Sequence, residues 1–154
     1  MNLQPRITGV FTGVQSDAAK TPVAFAQLIA DHGLAGDRHA GTHPSRHVSL
    51  FAQEVLQALY AKGFKFEAGQ LSANLFTENL SLDELPLGAR LRIGDVLLEI
   101  VERRKTCRSI TKIDHRLTKR LVNQCGQFAR IVQGGEVKTG DTIELIPATR
   151  QATA

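Results

Sequence analysis

Apolar and polar residues alternate most cleanly over residues 89–101, ARLRIGDVLLEIV. Leu91 and Ile93 interleave with arginines, Gly94-Asp95 supplies a turn, and Val96, Leu98 and Ile100 resume the alternation. A period of two on both sides of a Gly-containing turn predicts a β-hairpin with one face of each strand in a core. VKTGDTIELI is a weaker echo, again a Gly-Asp followed by alternating apolar positions, and does not amount to a repeat. RITGVFTG and HVSLF read as further strands, and VAFAQLIADHGLAGD as a strand running into a turn.

Helical spacing occurs twice. In AQEVLQALYAKG the apolar Val55, Leu56, Leu59 and Tyr60 share a face, and Gly63 stands as a C-terminal stop. In DHRLTKRLVNQ, Leu117 and Leu121 point one way and Arg116, Lys119 and Arg120 the other, a solvated charged face. RHAGTHPSRH is rich in Gly, His, Pro and Ser and reads as a loop. Residues 64–80 show no period and read as irregular. Frequent short strands with only two short helices predict a mainly β fold, a barrel or sandwich. The expected organisation is one domain over residues 1–147 followed by a flexible tail, 148–154.

The chain has 154 residues, 42% of them hydrophobic and 22% charged, enough to bury a core without staples. Aromatics at 5% and the absence of Trp argue against a base-stacking platform for single-stranded nucleic acid. A net charge of +4 suits an anionic ligand, and with no long Lys/Arg run or DNA-reading motif no nucleic-acid partner is expected. No segment reaches the ~20 apolar residues needed to cross a bilayer, so no membrane association is expected. The N-terminus lacks a signal-peptide pattern and two cysteines make no disulfide framework, so the expected location is the cytoplasm.

VERRKTCRSI places Cys107 among Arg103, Arg104, Lys105 and Arg108. Cations near sulfur favour the thiolate, which is both the nucleophile and the metal ligand. On these ten residues alone, a strand running into a solvated basic loop with an incidental cysteine is the slightly better reading. Cys125 has no cationic neighbours and sits before a strand, as a core residue would. His39, His43 and His47 recur every fourth position, but Gly41 and Pro44 between them rule out a helical ladder. GLAGDRHAG lets the backbone approach a ligand, and Arg38 can fork onto an anionic oxygen.

The ordered set GLAGDRHAGTHPSRHVSL, NLFTENLSLDELPLGARLRIGDVLLEIVERRKTC and GQFARIVQGGEVKTGDTIEL resembles the MOSC domain, the C-terminal domain of molybdenum cofactor sulfurases. The likeness runs over roughly residues 5 to 146. It implies a MOSC-like β-barrel with a few short helices, in a stand-alone protein of bacterial type. It further implies that Cys107 matches the hallmark cysteine, which binds sulfur or ligates the molybdenum of a pterin cofactor. Arg38, His39, Asn74, Arg103, Arg104 and Arg108 are then the candidate cofactor contacts. Two departures stand out: Ala73 occupies the place where many relatives have Glu before Asn74, and Thr106 the place where many have Pro before the cysteine.

Two chemistries share that thiolate. In the first, molybdenum cofactor held by Cys107 reduces N-hydroxylated compounds, and an electron-donor protein resupplies electrons. In the second, Cys107 carries a persulfide received from a cysteine desulfurase and delivers its sulfur to a metal centre. A non-catalytic module that binds or delivers the cofactor is the alternative from a different class. Pyridoxal phosphate belongs to the desulfurase domain found fused to some relatives and is not supported within this chain.

Overall fold

The computed structural model describes residues 3–14, 19–106 and 108–147; Cys107 and the expected tail at 148–154 lie outside the described residues. In chain order the elements are β1 (Arg6–Thr12), β2 (Thr21–Val23), β3 (Phe25–Ile29), β4 (Gly33–Leu34) and β5 (Val48–Ala52). Then follow α1 (Gln53–Ala61), β6 (Leu75–Glu78), β7 (Arg90–Ile93), β8 (Val96–Arg103), α2 (Arg108–Ile113) and α3 (Leu117–Arg120). The described chain closes with β9 (Gln127–Gln133), β10 (Gly135–Lys138) and β11 (Glu144–Ile146).

One sheet takes eight strands in the order β11-β7-β8-β9-β5-β6-β1-β2, and a small second sheet takes β10-β3-β4. The larger sheet curls until its ends meet. Near the start of β1, the Ile7 N–H donates to the Asp141 carbonyl at 2.8 Å and the Ile143 N–H donates to the Pro5 carbonyl at 2.8 Å, just ahead of β11. Closure of this kind satisfies backbone groups that an open edge would leave unpaired. The barrel expected from the sequence is therefore present.

The hairpin over 90–103 turns at Gly94-Asp95 with Leu91 opposite Leu98 and Ile93 opposite Val96. Gly94 has φ +60, the left-handed conformation such a turn requires. Leu91, Ile93, Val96, Leu98 and Ile100 all enter the barrel core, where Leu50, Leu75, Ala129 and Ile131 meet them. A second apolar cluster lies outside the barrel wall, joining Phe51 and Phe76 to Leu56 and Leu59 of α1, Ile110 of α2 and Leu117 of α3. Cys125 belongs to this cluster and is 1% exposed.

Three sequence expectations need correction. Residues 64–80 are not irregular: a 3-10 turn spans Ala68–Leu71, and β6 runs parallel to β5 in the middle of the sheet. Leu75 faces the barrel while Phe76 faces the helices, so both faces of β6 are buried and the two-residue alternation disappears. Secondly, the basic stretch after Cys107 begins a helix, α2, held by the burial of Ile110. Lastly, the predicted helix over DHRLTKRLVNQ is one short turn, α3. Within VKTGDTIELI the strands take other partners, β10 pairing with β3 and β11 with β7.

Candidate functional site

Two adjoining depressions open beside the barrel wall. The larger, of about 490 Å³, is lined by Arg38, His39 and Arg46 from the loop before β5, by Ser49 and Asn74 from the wall, and by Arg104, Lys105 and Thr106 after β8. The second, of about 480 Å³, is lined by Gln70 and Glu67, and by Arg108 and Lys112 from α2. Arg38, Ser72 and Ser109 line both, so the two are lobes of one cleft. Arg104, Lys105 and Thr106 line the first lobe and Arg108 the second, with Ser109 shared.

The loop carrying Arg38 and His39 is anchored from below by a buried ion pair. Lys20 Nζ lies 2.7 Å from Asp37 Oδ1, with the two side chains 0% and 3% exposed. Asp37 also accepts the Gly13 N–H at 2.9 Å and the His39 N–H at 3.1 Å. Burial by itself would raise the Asp37 carboxyl, but the hydrogen bonds from Lys20 and Gly13 prevail and hold it below its usual range. Burial lowers the Lys20 ammonium despite the help of Asp37, with Arg38 and Arg104 adding repulsion. The same cations, after burial, lower the His39 imidazole. The cleft is electropositive throughout, apart from Glu102, which Arg46 engages in two bonds at 2.9 and 2.6 Å, and Glu67.

Two glycines make this packing possible. A Cβ on Gly69 would stand 1.7 Å from the Lys20 carbonyl oxygen, and one on Gly13 would stand 2.5 Å from an Arg38 guanidinium nitrogen. The backbone carrying Lys20 therefore lies directly on the 3-10 turn at 68–71, and the Lys20 N–H donates to the Gly69 carbonyl at 3.0 Å.

The structure brings most of the expected residues together. Arg38, His39, Asn74 and Arg104 line the first lobe and Arg108 the second. Arg104 is 6% exposed and donates to the Leu71 carbonyl, which fixes its guanidinium at the cleft floor. Asn74 acts as a staple: its Oδ1 accepts the Ser49 N–H at 3.1 Å and its Nδ2 donates to the Phe11 carbonyl at 3.2 Å. Arg103 is not brought to the cleft. Successive residues of an extended strand face opposite sides, and Arg103 instead donates to the Asp83 carbonyl at 3.2 Å and to Asn123 Oδ1 at 3.3 Å. Cys107 lies outside the described residues, between Thr106 of the first lobe and Arg108 of the second.

Of the three histidines, only His39 and His43 stand beside the cleft with open surface. His47 is 3% exposed, its Nδ1 accepting the Ile131 N–H at 3.1 Å and its Nε2 donating to the Pro44 carbonyl at 2.9 Å. His43 Nδ1 accepts the Ser45 and Arg46 N–H groups. Among the described residues, no three His, Cys, Asp or Glu side chains are grouped to hold a metal ion. Sequence reasoning missed Lys20 and its pairing with Asp37, since nothing local marks partners 17 positions apart.

The model of the MOSC domain matches residues 36–144 of the chain. No curated protein matches it in sequence. The YUAD protein from Bacillus subtilis superposes with a TM-score of 0.81 at 16% identity, over 93% of this chain and 96% of the other. YiiM from Escherichia coli superposes at 0.74 with 20% identity, over 96% of this chain and 71% of its own. YiiM from Geobacillus stearothermophilus gives 0.73 at 19% identity, over 96% and 78%. No helix among the described residues is long and apolar enough to cross a membrane.

Proposed function

The chain belongs to the MOSC domain family, and from that premise we propose that its cleft holds molybdenum cofactor, with the Cys107 thiolate as the protein's ligand to the metal. One observation supports the reading: Arg38 lines both lobes, and of the described residues next to Cys107 in sequence, Thr106 lines the first lobe and Arg108 the second. A ligand with an anionic tail and a metal-bearing head would suit a cleft of two adjoining cationic lobes.

The donor set suits that group. A metal already held by an organic ligand needs few donors from the chain, and the Cys107 thiolate would be a soft one. Arg38, Arg104 and Lys105 would bind anionic oxygens, the arginines through paired N–H groups, and Ser49 and Ser72 offer further polar contacts. Arg108 and Lys112 would do the same in the second lobe. When bound, the group supplies two-electron chemistry of the kind that removes oxygen from N-hydroxylated compounds. The chain's own residues orient it, neutralise its charge and keep the thiol ionised; electrons would come from a donor protein.

Purification from a host that makes molybdenum cofactor, followed by metal and pterin analysis and intact mass, tests this. Near-stoichiometric molybdenum and pterin are expected. A metal-free protein one sulfur atom heavier at Cys107 would overturn the reading in favour of a sulfur carrier loaded by a desulfurase. Bound cofactor with no turnover of any N-hydroxylated compound would leave a holding module.

A further inference from the structure

His39 faces the cleft with its ring 54% exposed, yet one of its nitrogens is engaged from beneath: Nδ1 lies 3.2 Å from Lys20 Nζ. An ammonium group donates and cannot accept. Asp37 favours that form against the cost of burial, its Oδ1 lying 2.7 Å from Nζ with both side chains out of solvent. The carboxylate is itself committed to Lys20 and to the N–H groups of Gly13 and His39. Its nearer approach to His39 Nδ1 is 3.8 Å, too long for a hydrogen bond. Among the described residues, then, no acceptor stands within hydrogen-bond distance of Nδ1, and a strong donor lies beside it.

We propose that Lys20 is a positioning residue that locks His39 as the neutral imidazole with its proton on Nε2, presenting a fixed N–H donor to a ligand oxygen in the cleft. The arrangement reverses the common one, in which a carboxylate or carbonyl receives Nδ1–H and leaves Nε2 as base or metal ligand. Here the relay runs from Asp37 through a buried ammonium, so the exposed nitrogen is kept as a donor. Partial burial, and after it three cations, Lys20, Arg38 and Arg104, against the one carboxylate of Asp37, disfavour a second proton on the ring. Combined with the neighbouring guanidinium groups, such a donor selects ligands that bring an acceptor, an oxo, carbonyl or phosphoryl oxygen, and disfavours ligands that bring an N–H or a cation. The lock itself does not depend on molybdenum. Only the identity of the ligand oxygen rests on the function proposed above.

The test is nitrogen-15 NMR of the histidine rings in the ligand-free protein, with His39 assigned from a His39→Gln variant. The expected spectrum near neutral pH has a pyridine-type nitrogen at Nδ1 and a pyrrole-type, proton-bearing nitrogen at Nε2. Lys20→Met should shift both nitrogens toward the averaged values of a ring exchanging between tautomers. If that variant fails to fold, the wild-type spectrum decides alone. A proton on Nδ1, or tautomer averaging in the wild type, overturns the proposal whatever the metal content. The expected tautomer in a protein that never takes up molybdenum keeps this inference and sinks only the cofactor reading.

Discussion

Lys20 and Asp37 form an ion pair of 2.7 Å that solvent does not reach, directly beneath the loop that carries Arg38 and His39. A buried pair contributes little against an apolar replacement, but losing one partner strands the other charge. Lys20→Met should therefore cost about 3–5 kcal/mol of stability. The double change Lys20→Met with Asp37→Leu should recover much of that loss. Chemical denaturation of the wild type, of Lys20→Met and Asp37→Leu singly, and of the double variant measures it, and simple additivity of the two changes would show that the pair is not coupled.

The same pair sets an acid limit. Asp37 has its folded pKa below the unfolded value of about 3.9, so its stabilising contribution is complete above that pH and is lost as pH falls through the folded pKa. His39 also has a lowered pKa, from burial first and Lys20 next. Below about pH 6.5 the unfolded chain takes up a proton there before the folded one does. Stability should hence decline gently from about pH 6.5 downward and steeply below about pH 3.9. Melting temperature against pH should show the gentle part flattened in His39→Gln.

Arg38 and Arg103 should separate in function. Charge-assisted bonds to an anionic oxygen are worth about 1.5–3 kcal/mol, so Arg38→Ala should weaken cofactor retention by about tenfold to a hundredfold. Arg108→Ala should do so through the second lobe. Arg103→Ala should leave retention unchanged, since its bonds run to Asp83 and Asn123. Molybdenum content after gel filtration reads all three, and loss in Arg103→Ala alone would relocate the site.

Cys107 and Cys125 should differ in kind. Cys107→Ser should abolish molybdenum loading, or persulfide loading if the chain carries sulfur, while leaving the melting temperature near that of the wild type. Cys125, packed against the helices, should resist alkylation in the native state, and Cys125→Ser should cost about 1 kcal/mol without touching loading. Full loading and full activity in Cys107→Ser would end the thiolate reading.

Gly69→Ala should be severe, because the added methyl meets the Lys20 carbonyl oxygen at 1.7 Å and backbone must move. Gly63→Ala makes the control: nothing lies within 4 Å of its Cβ, and φ +96 alone should cost about 1 kcal/mol. Comparable losses in the two variants would mean that the backbone approach under the cleft is looser than described.

What the sequence makes legible follows from which faces are buried. The 90–103 hairpin has one wet face and one dry, so its alternation survives in the residues. β6 has none to show, because Leu75 and Phe76 point into different cores. In the site, the cations Arg38, Arg104 and Arg108 stand out by type alone. Choosing between Arg103 and Arg104 needs the strand's exact phase, which a bulge between Ile100 and Glu102 resets. Ala73 is likewise unreadable from its neighbours: it is 0% exposed within the outer apolar cluster, where a carboxylate in place of its methyl would be buried against hydrocarbon.

The seam that closes the barrel has a consequence for how the chain is made. It joins residues as far apart as Gln4 and Ile143, 139 positions along the chain, through a hydrogen bond of 3.0 Å. β5 and β6 add a parallel pairing that no tight turn can nucleate. Loop closure over such spans makes folding slow compared with a helical chain of equal length. On the ribosome β1 emerges first, and one side of it waits for its partner until residues 140–143 have left the exit tunnel. For most of synthesis the nascent chain thus presents an open strand edge, and a chaperone that shields such edges is the aid it would need.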